Sequence, residues 1–179
     1  MTVADRVVID ASVGVAFLTK EVHTQHATSA IDAWRASATE LLVPAHFWLE
    51  LTNVLIGRKA ISAEGVIAAF LDLDNLGLRT VESDRPLLLL ATNEMISAQL
   101  SAYDAIYLAL ALSTGSKLAT LDRRLADAAG DAGMLIGPTG ASEPRTAYRA
   151  AIDGYAGWAH SAVVGAHIAE LRRKALADT

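Results

Sequence analysis

Short apolar runs alternate along this chain with longer stretches whose apolar residues recur at helical spacing. Residues 6–10 read as a short buried strand, and residues 41–43, 78–81, 117–120 and 134–136 as further brief strands. Between them the spacing predicts helices: one after Ser12, one over 24–35, one from Pro44 toward Gly57, one over 62–73, one from about Asp84, one from about Tyr103 to Gly115, and a short one over 122–129. Pro44 suits the first turn of its helix, which places Glu50 in mid-helix. Ser101 suits an N-cap that sets Asp104 in a first turn, where the helix dipole favours an anion. Alternation of this kind implies an α/β layer structure around a mainly parallel sheet, with the ligand site beyond the carboxyl ends of the strands. Asp10 and Asp122 fall at such ends. The pattern changes only after Gly137. From residue 143 the chain reads as helical again, Val164, Ile168, Leu171 and Ala175 keeping one face, so the expected organisation is a domain over 1–140 and a helical extension over 141–179.

Four acids interrupt this apolar pattern. Asp10 closes Arg-Val-Val-Ile-Asp, Glu50 lies within Trp-Leu-Glu-Leu, Asp104 within Ser-Ala-Tyr-Asp-Ala-Ile-Tyr-Leu-Ala, and Asp122 closes Leu-Ala-Thr-Leu-Asp. An unpaired carboxylate costs several kcal/mol to bury, and no Lys or Arg is written into comparable settings. A shared divalent cation is the expected counter-charge. Oxygen-only ligation suits Mg²⁺ or Mn²⁺, whereas zero cysteines and no histidine cluster disfavour zinc. His23 and His26 form an H-x-x-H near Glu21 and read as ordinary surface residues.

Composition narrows the setting. At 179 residues the chain suits one domain with a short appendage. Its hydrophobic content of 53% and mean hydropathy of +0.32 are high, but the longest apolar runs, such as 105–112, fall short of the roughly 18 residues of a spanning helix. A soluble, cytoplasmic protein without a secretory leader is the expectation, in keeping with the absence of cysteine. A net charge of −5 argues against coating nucleic acid by bulk electrostatics. It leaves room for a nuclease in which a local basic rim, drawn from Arg58, Lys59, Arg123 and Arg124, holds phosphates beside an acidic metal site. Phosphate-loop, dinucleotide-binding, nucleophile-elbow and H-E-x-x-H zinc motifs are all missing. An aspartyl-phosphate receiver needs two adjacent early acids, and Asp10 is flanked by Ile9 and Ala11.

Over residues 6–137 the order of elements and the four local motifs resemble the PIN-domain family of metal-dependent ribonucleases, and within it the VapC-type toxins of toxin-antitoxin pairs. Val-Val-Ile-Asp-Ala-Ser-Val, Phe-Trp-Leu-Glu-Leu-Thr-Asn-Val-Leu, Tyr-Asp-Ala-Ile-Tyr-Leu-Ala-Leu-Ala and Leu-Ala-Thr-Leu-Asp-Arg-Arg-Leu match the family's four acidic segments in order. The resemblance implies a PIN-like three-layer sandwich and one or two Mg²⁺ or Mn²⁺ ions held by Asp10, Glu50, Asp104 and Asp122. It also implies hydrolysis of RNA phosphodiesters to 5′-phosphate and 3′-hydroxyl products without a side-chain nucleophile, a small antitoxin protein presenting Arg or Lys to the acids, and a homodimer. Ser12 and Thr120 match small polar positions beside the first and fourth acids, and Asn53, one turn after Glu50, is a further supporting candidate. Trp34, Phe47, Trp48, Tyr103 and Tyr107 read as core or interface residues rather than base-stacking platforms. A catalytically silent binding module on the same fold, and a PIN nuclease of RNA maturation or turnover without an antitoxin, are the alternative readings.

Overall fold

The computed structural model describes residues 5–19 and 23–137. The expected boundary at residue 140 and the helical extension over 141–179 lie outside these residues. Five strands, β1 (Arg6–Ile9), β2 (Glu40–Pro44), β3 (Arg79–Val81), β4 (Lys117–Thr120) and β5 (Gly133–Leu135), form one sheet in the order β3-β2-β1-β4-β5, and every pairing is parallel. Seven helices connect them: α1 (Ala11–Leu18), α2 (Thr24–Ala36), α3 (Phe47–Gly57), α4 (Ala63–Asp74), α5 (Arg85–Ala98), α6 (Ala102–Thr114) and α7 (Arg123–Ala128). Right-handed crossovers put α1–α4 on one face of the sheet and α5–α7 on the other, which gives the expected α/β sandwich. The chain moves outward from β1 in one direction and returns to continue in the other, so the strand order reverses between β1 and β4.

Local sequence explains most of the boundaries. Ser62, Asp84 and Ser101 each stand in extended conformation and accept a hydrogen bond from a first-turn amide, as N-caps do, and Pro86 follows Asp84 within the first turn of α5. Gly115 ends α6 at φ 64°, a left-handed conformation that favours glycine. Gly133 opens β5 where an added Cβ would lie 2.1 Å from the Ala126 carbonyl oxygen, so any side chain there forces α7 off the strand. β1 is buried on both faces apart from Arg6, and residues 105–111 of α6 are buried in unbroken succession, which accounts for their apolar run. Among the described residues no single helix is long and apolar enough to cross a membrane; α5 and α6 reach that length only together, across a 111° bend.

One boundary differs from expectation in a way that matters. Pro44 does not open α3 but is the last residue of β2, paired with Val81 of β3, and the Ala45 amide donates to the Val81 carbonyl. A proline lacks a donor, yet the end of a strand tolerates it. Helix α3 therefore starts at Phe47, and Glu50 lies in its first turn rather than its middle.

Candidate active site

The carboxyl ends of β1 and β4 and the amino ends of α3, α6 and α7 share one edge of the sheet, since each helix runs back against the strands it connects. Asp10, Glu50, Asp104 and Asp122 all lie at this edge, the first at the end of β1 and the others in the first turns or cap of the three helices.

Asp10 is the anchor. It stands at the N-cap position of α1, but its carboxylate caps nothing. Instead Oδ2 accepts from the Ser12 hydroxyl and, at 2.7 Å, from the Thr120 hydroxyl, while the Asp10 amide donates to the Ala119 carbonyl. Ser12 in turn accepts from the Leu121 amide and Thr120 from the Asp122 amide, so β1 and β4 are stitched together around one buried acid. Burial pushes the Asp10 carboxyl up from 3.8 to about 6; the two hydroxyls oppose that rise, and the negative charges of Asp104 and Asp122 add to it. Those two acids therefore act on Asp10 across the strand-order switch.

Asp104 and Ser101 form a reciprocal cap: the Asp104 amide donates to Ser101 Oγ, and Ser101 Oγ donates to Asp104 Oδ2 at 2.7 Å. Asp122 does the ordinary work of a cap, accepting from the Arg124 and Leu125 amides. Glu50 is buried and accepts at Oε2 from the Tyr107 hydroxyl, 3.0 Å away on α6, three residues beyond Asp104. Its link to the other acids thus runs through α6. The contacts just described reach the four acids from hydroxyls and backbone amides.

Of the supporting candidates, Ser12 and Thr120 both touch Asp10, whereas Asn53 is exposed on α3 and makes no hydrogen bond among the described residues. The basic rim divides. Arg123 and Arg124 directly follow Asp122, with Arg124 donating to the Gln99 carbonyl. Arg58 and Lys59 follow the opposite end of α3, eight residues or about 12 Å from Glu50 at ~1.5 Å per residue, away from the acids. His26 is exposed and His23 half-buried, and among the described residues no three His, Cys, Asp or Glu side chains converge into a ready-made metal shell. Of the aromatics, Phe47 and Tyr107 are fully buried, Trp34 and Trp48 half-buried, and Tyr103 is exposed.

Sequence reasoning passed over Tyr107 as a partner of Glu50, and His46 altogether. His46 precedes α3, its ring edge-on to Tyr107 at 4.8 Å and tilted against Tyr103 at 5.7 Å. Among the described residues neither ring nitrogen makes a well-formed hydrogen bond, and burial, only partly opposed by the Tyr103 backbone, pushes the imidazole down to about 4, so it stays neutral at pH 7.

The PIN domain model matches residues 7–131, from β1 through α7, well over half of the sequence. The chain belongs to the PIN domain family. No curated protein matches it significantly by sequence. Solved structures share the PIN fold at low identity. VapC20 of Mycobacterium tuberculosis, a toxin that cleaves the sarcin-ricin loop, aligns with a TM-score of 0.55 at 18% identity over 69% of this chain and 95% of its own. FitAcB of Neisseria gonorrhoeae gives 0.55 at 17% identity over 75% and 99%, and PAE2754 of Pyrobaculum aerophilum 0.54 at 22% over 75% and 92%.

Proposed function

We propose that this PIN domain is a metal-dependent endoribonuclease and the toxin of a toxin-antitoxin pair. The observation that carries the reading is Asp10, a buried carboxylate held by neutral hydroxyls and facing two further acids. Such an arrangement is costly without a cation, and its donors are all oxygen. Mg²⁺ and Mn²⁺ fit it, because Mg²⁺ keeps several of its waters and needs only one or two direct carboxylates, which suits acids spread along an edge rather than closed into a cage. Asp10, Glu50, Asp104 and Asp122 would hold the ion directly or through water. When bound, it supplies an activated water and charge neutralisation at a phosphodiester.

The residues of the chain do the rest. Ser12 and Thr120 fix one oxygen of Asp10, leaving Oδ1 with no hydrogen bond among the described residues and so available as a ligand. Ser101 holds Oδ2 of Asp104, whose place in the first turn of α6 is favoured by the helix dipole. Arg123, next to Asp122 in sequence, would meet an RNA phosphate arriving at the crevice. RNA as substrate and an antitoxin as partner are supported by membership of the family and by the likeness to VapC20. An antitoxin peptide carrying Arg or Lys would match the acids in charge. Apolar side chains exposed on α4 and α5, among them Ile67, Leu71, Leu89 and Ile96, offer surface for that partner and for a second copy in a homodimer. Such a protein acts in the cytoplasm, where RNA is met.

Purified protein is incubated with total cellular RNA and Mg²⁺ or Mn²⁺, with EDTA and Asp10→Asn as controls. Discrete products that vanish in both controls are expected. Wild-type protein that leaves RNA intact at all metal concentrations, once freed of any co-purifying partner, overturns the proposal.

A further inference from the structure

We infer that Tyr107 is a positioning residue: its buried hydroxyl holds Glu50 of α3 in a fixed place relative to Asp104 of α6. The inference rests on the nuclease reading and adds to it a residue outside the acidic quartet.

A glutamate has three side-chain torsions and loses much freedom when fixed, so a buried one needs something stiff to define where its charge stands. Tyr107 supplies it. Its side chain is fully buried, and its ring is wedged on one side by the His46 imidazole at 4.8 Å, which is itself braced against Tyr103. The hydroxyl then meets Glu50 Oε2 at 3.0 Å across a sequence separation of 57 residues. Because Tyr107 follows Asp104 by three residues on one helix, both belong to the same face of α6, and the hydroxyl transmits the position of that helix to an acid on another.

The choice of a phenol rather than an amine or guanidinium is informative. A Lys or Arg at this position would compete with a cation, whereas a phenol orients the carboxylate without adding a positive charge of its own. The same device recurs at Asp10, with Ser12 and Thr120, and at Asp104, with Ser101. The neutral His46 fits this logic, since it packs against Tyr107 without adding a charge. A plain core role for Tyr107 gives a different expectation: the hydroxyl merely avoids being buried unsatisfied, and removing it changes stability alone.

The two roles separate in a double-mutant cycle of Tyr107→Phe and Glu50→Gln in the full chain, each variant measured at a temperature where circular dichroism shows it folded. Mn²⁺ affinity is read by isothermal titration calorimetry without RNA, and kcat and KM separately with RNA. Tyr107→Phe is expected to weaken Mn²⁺ binding and lower kcat by roughly tenfold or more, the range for residues that orient metal ligands, with KM for RNA unchanged. In the Glu50→Gln background it should add nothing. Wild-type Mn²⁺ affinity and kcat in Tyr107→Phe overturn the inference while leaving the nuclease reading intact, and an effect of equal size with and without Glu50 overturns it as well. A wild-type protein that binds Mn²⁺ with the predicted dependence on Tyr107, yet cleaves no RNA, overturns the nuclease reading instead. Wild-type protein that neither binds Mn²⁺ nor cleaves overturns both.

Discussion

Two acids of the same sheet, Glu40 and Asp10, are treated in opposite ways. Glu40 opens β2 at the amino edge, opposite Arg6 of β1, and bridges to Arg6 Nε at 2.8 Å and to Arg79 of β3 at 2.6 Å. Arg79 first, and then Arg6, hold its carboxyl below the usual range. Asp10 closes β1 at the carboxyl edge, more deeply buried, with hydroxyls in place of guanidinium groups and two further acids acting on it. Where the fold needs only stability it supplies counter-charge from its own chain. At Asp10 it supplies hydroxyls instead, and on the proposed function the counter-charge there would come from a bound cation.

Substitution should separate the two edges most sharply in activity. Asp10→Asn and Asp104→Asn are each expected to lower metal-dependent RNA cleavage by at least ~100-fold, the loss of a metal ligand being worth several kcal/mol of transition-state stabilisation, while Glu40→Gln leaves it unchanged. Equal activity in all three would erase the distinction. Stability should move the other way. Because folding raises the Asp10 pKa from 3.8 to about 6, the native state binds its proton more tightly than the unfolded chain does. Its contribution is therefore lost as pH rises from about 4 to about 6 and stays lost above, by roughly 3 kcal/mol at ~1.36 kcal/mol per unit. Urea denaturation of Asp10→Asn against wild type should show the variant gaining by about that amount over this interval, and saturating Mg²⁺ at pH 7.5 should return much of it to the wild type alone. Glu40 has the opposite sign, its carboxyl being lowered: what it contributes is present at neutral pH and declines on acidification.

A smaller effect tests the hydroxyls. Thr120→Val removes a donor to Asp10 and is expected to cost ~10-fold in Mn²⁺ affinity, with Thr120→Ser restoring it. Failure of the serine variant to restore binding would locate the effect in packing rather than in the hydrogen bond. Smallest of all, Glu40→Gln should destabilise by no more than ~1 kcal/mol, a loss that fades in high salt as for other partly exposed ion pairs. A salt-independent loss would show the Arg6–Glu40–Arg79 group to be something other than a surface network.

The elements were legible wherever a local cause sets them. Ser62, Asp84, Ser101 and Gly115 announce their helix ends through side-chain and backbone chemistry that involves only near neighbours. Pro44 misled because its fixed φ suits a strand end as well as a first helical turn, and the decision rested on β3, nearly forty residues away. The acids were legible because charge in apolar sequence is conspicuous, and Ser12 and Thr120 because they neighbour acids in the chain. Tyr107 was not, since a tyrosine in the apolar run of α6 looks the same whether it faces a leucine or a carboxylate. Arg58, Lys59 and Asn53 lie near Glu50 in sequence, but the length and rotation of α3 carry them away from it. Proximity along the chain predicts proximity in space only within about one helical turn.

The pairing of β1 with β4 also dictates when the site comes into being. Val8 lies beside Leu118, and the Thr120 hydroxyl reaches Asp10 across 110 residues of sequence. A chain emerging residue by residue can form β1, α1 and even β2 while Asp10 still lacks the strand that orients it and the acids that complete it, because contacts of such long range form late. A nuclease built this way would be inert through most of its own synthesis, its site completed only after the segment carrying Thr120 and Asp122 has been translated.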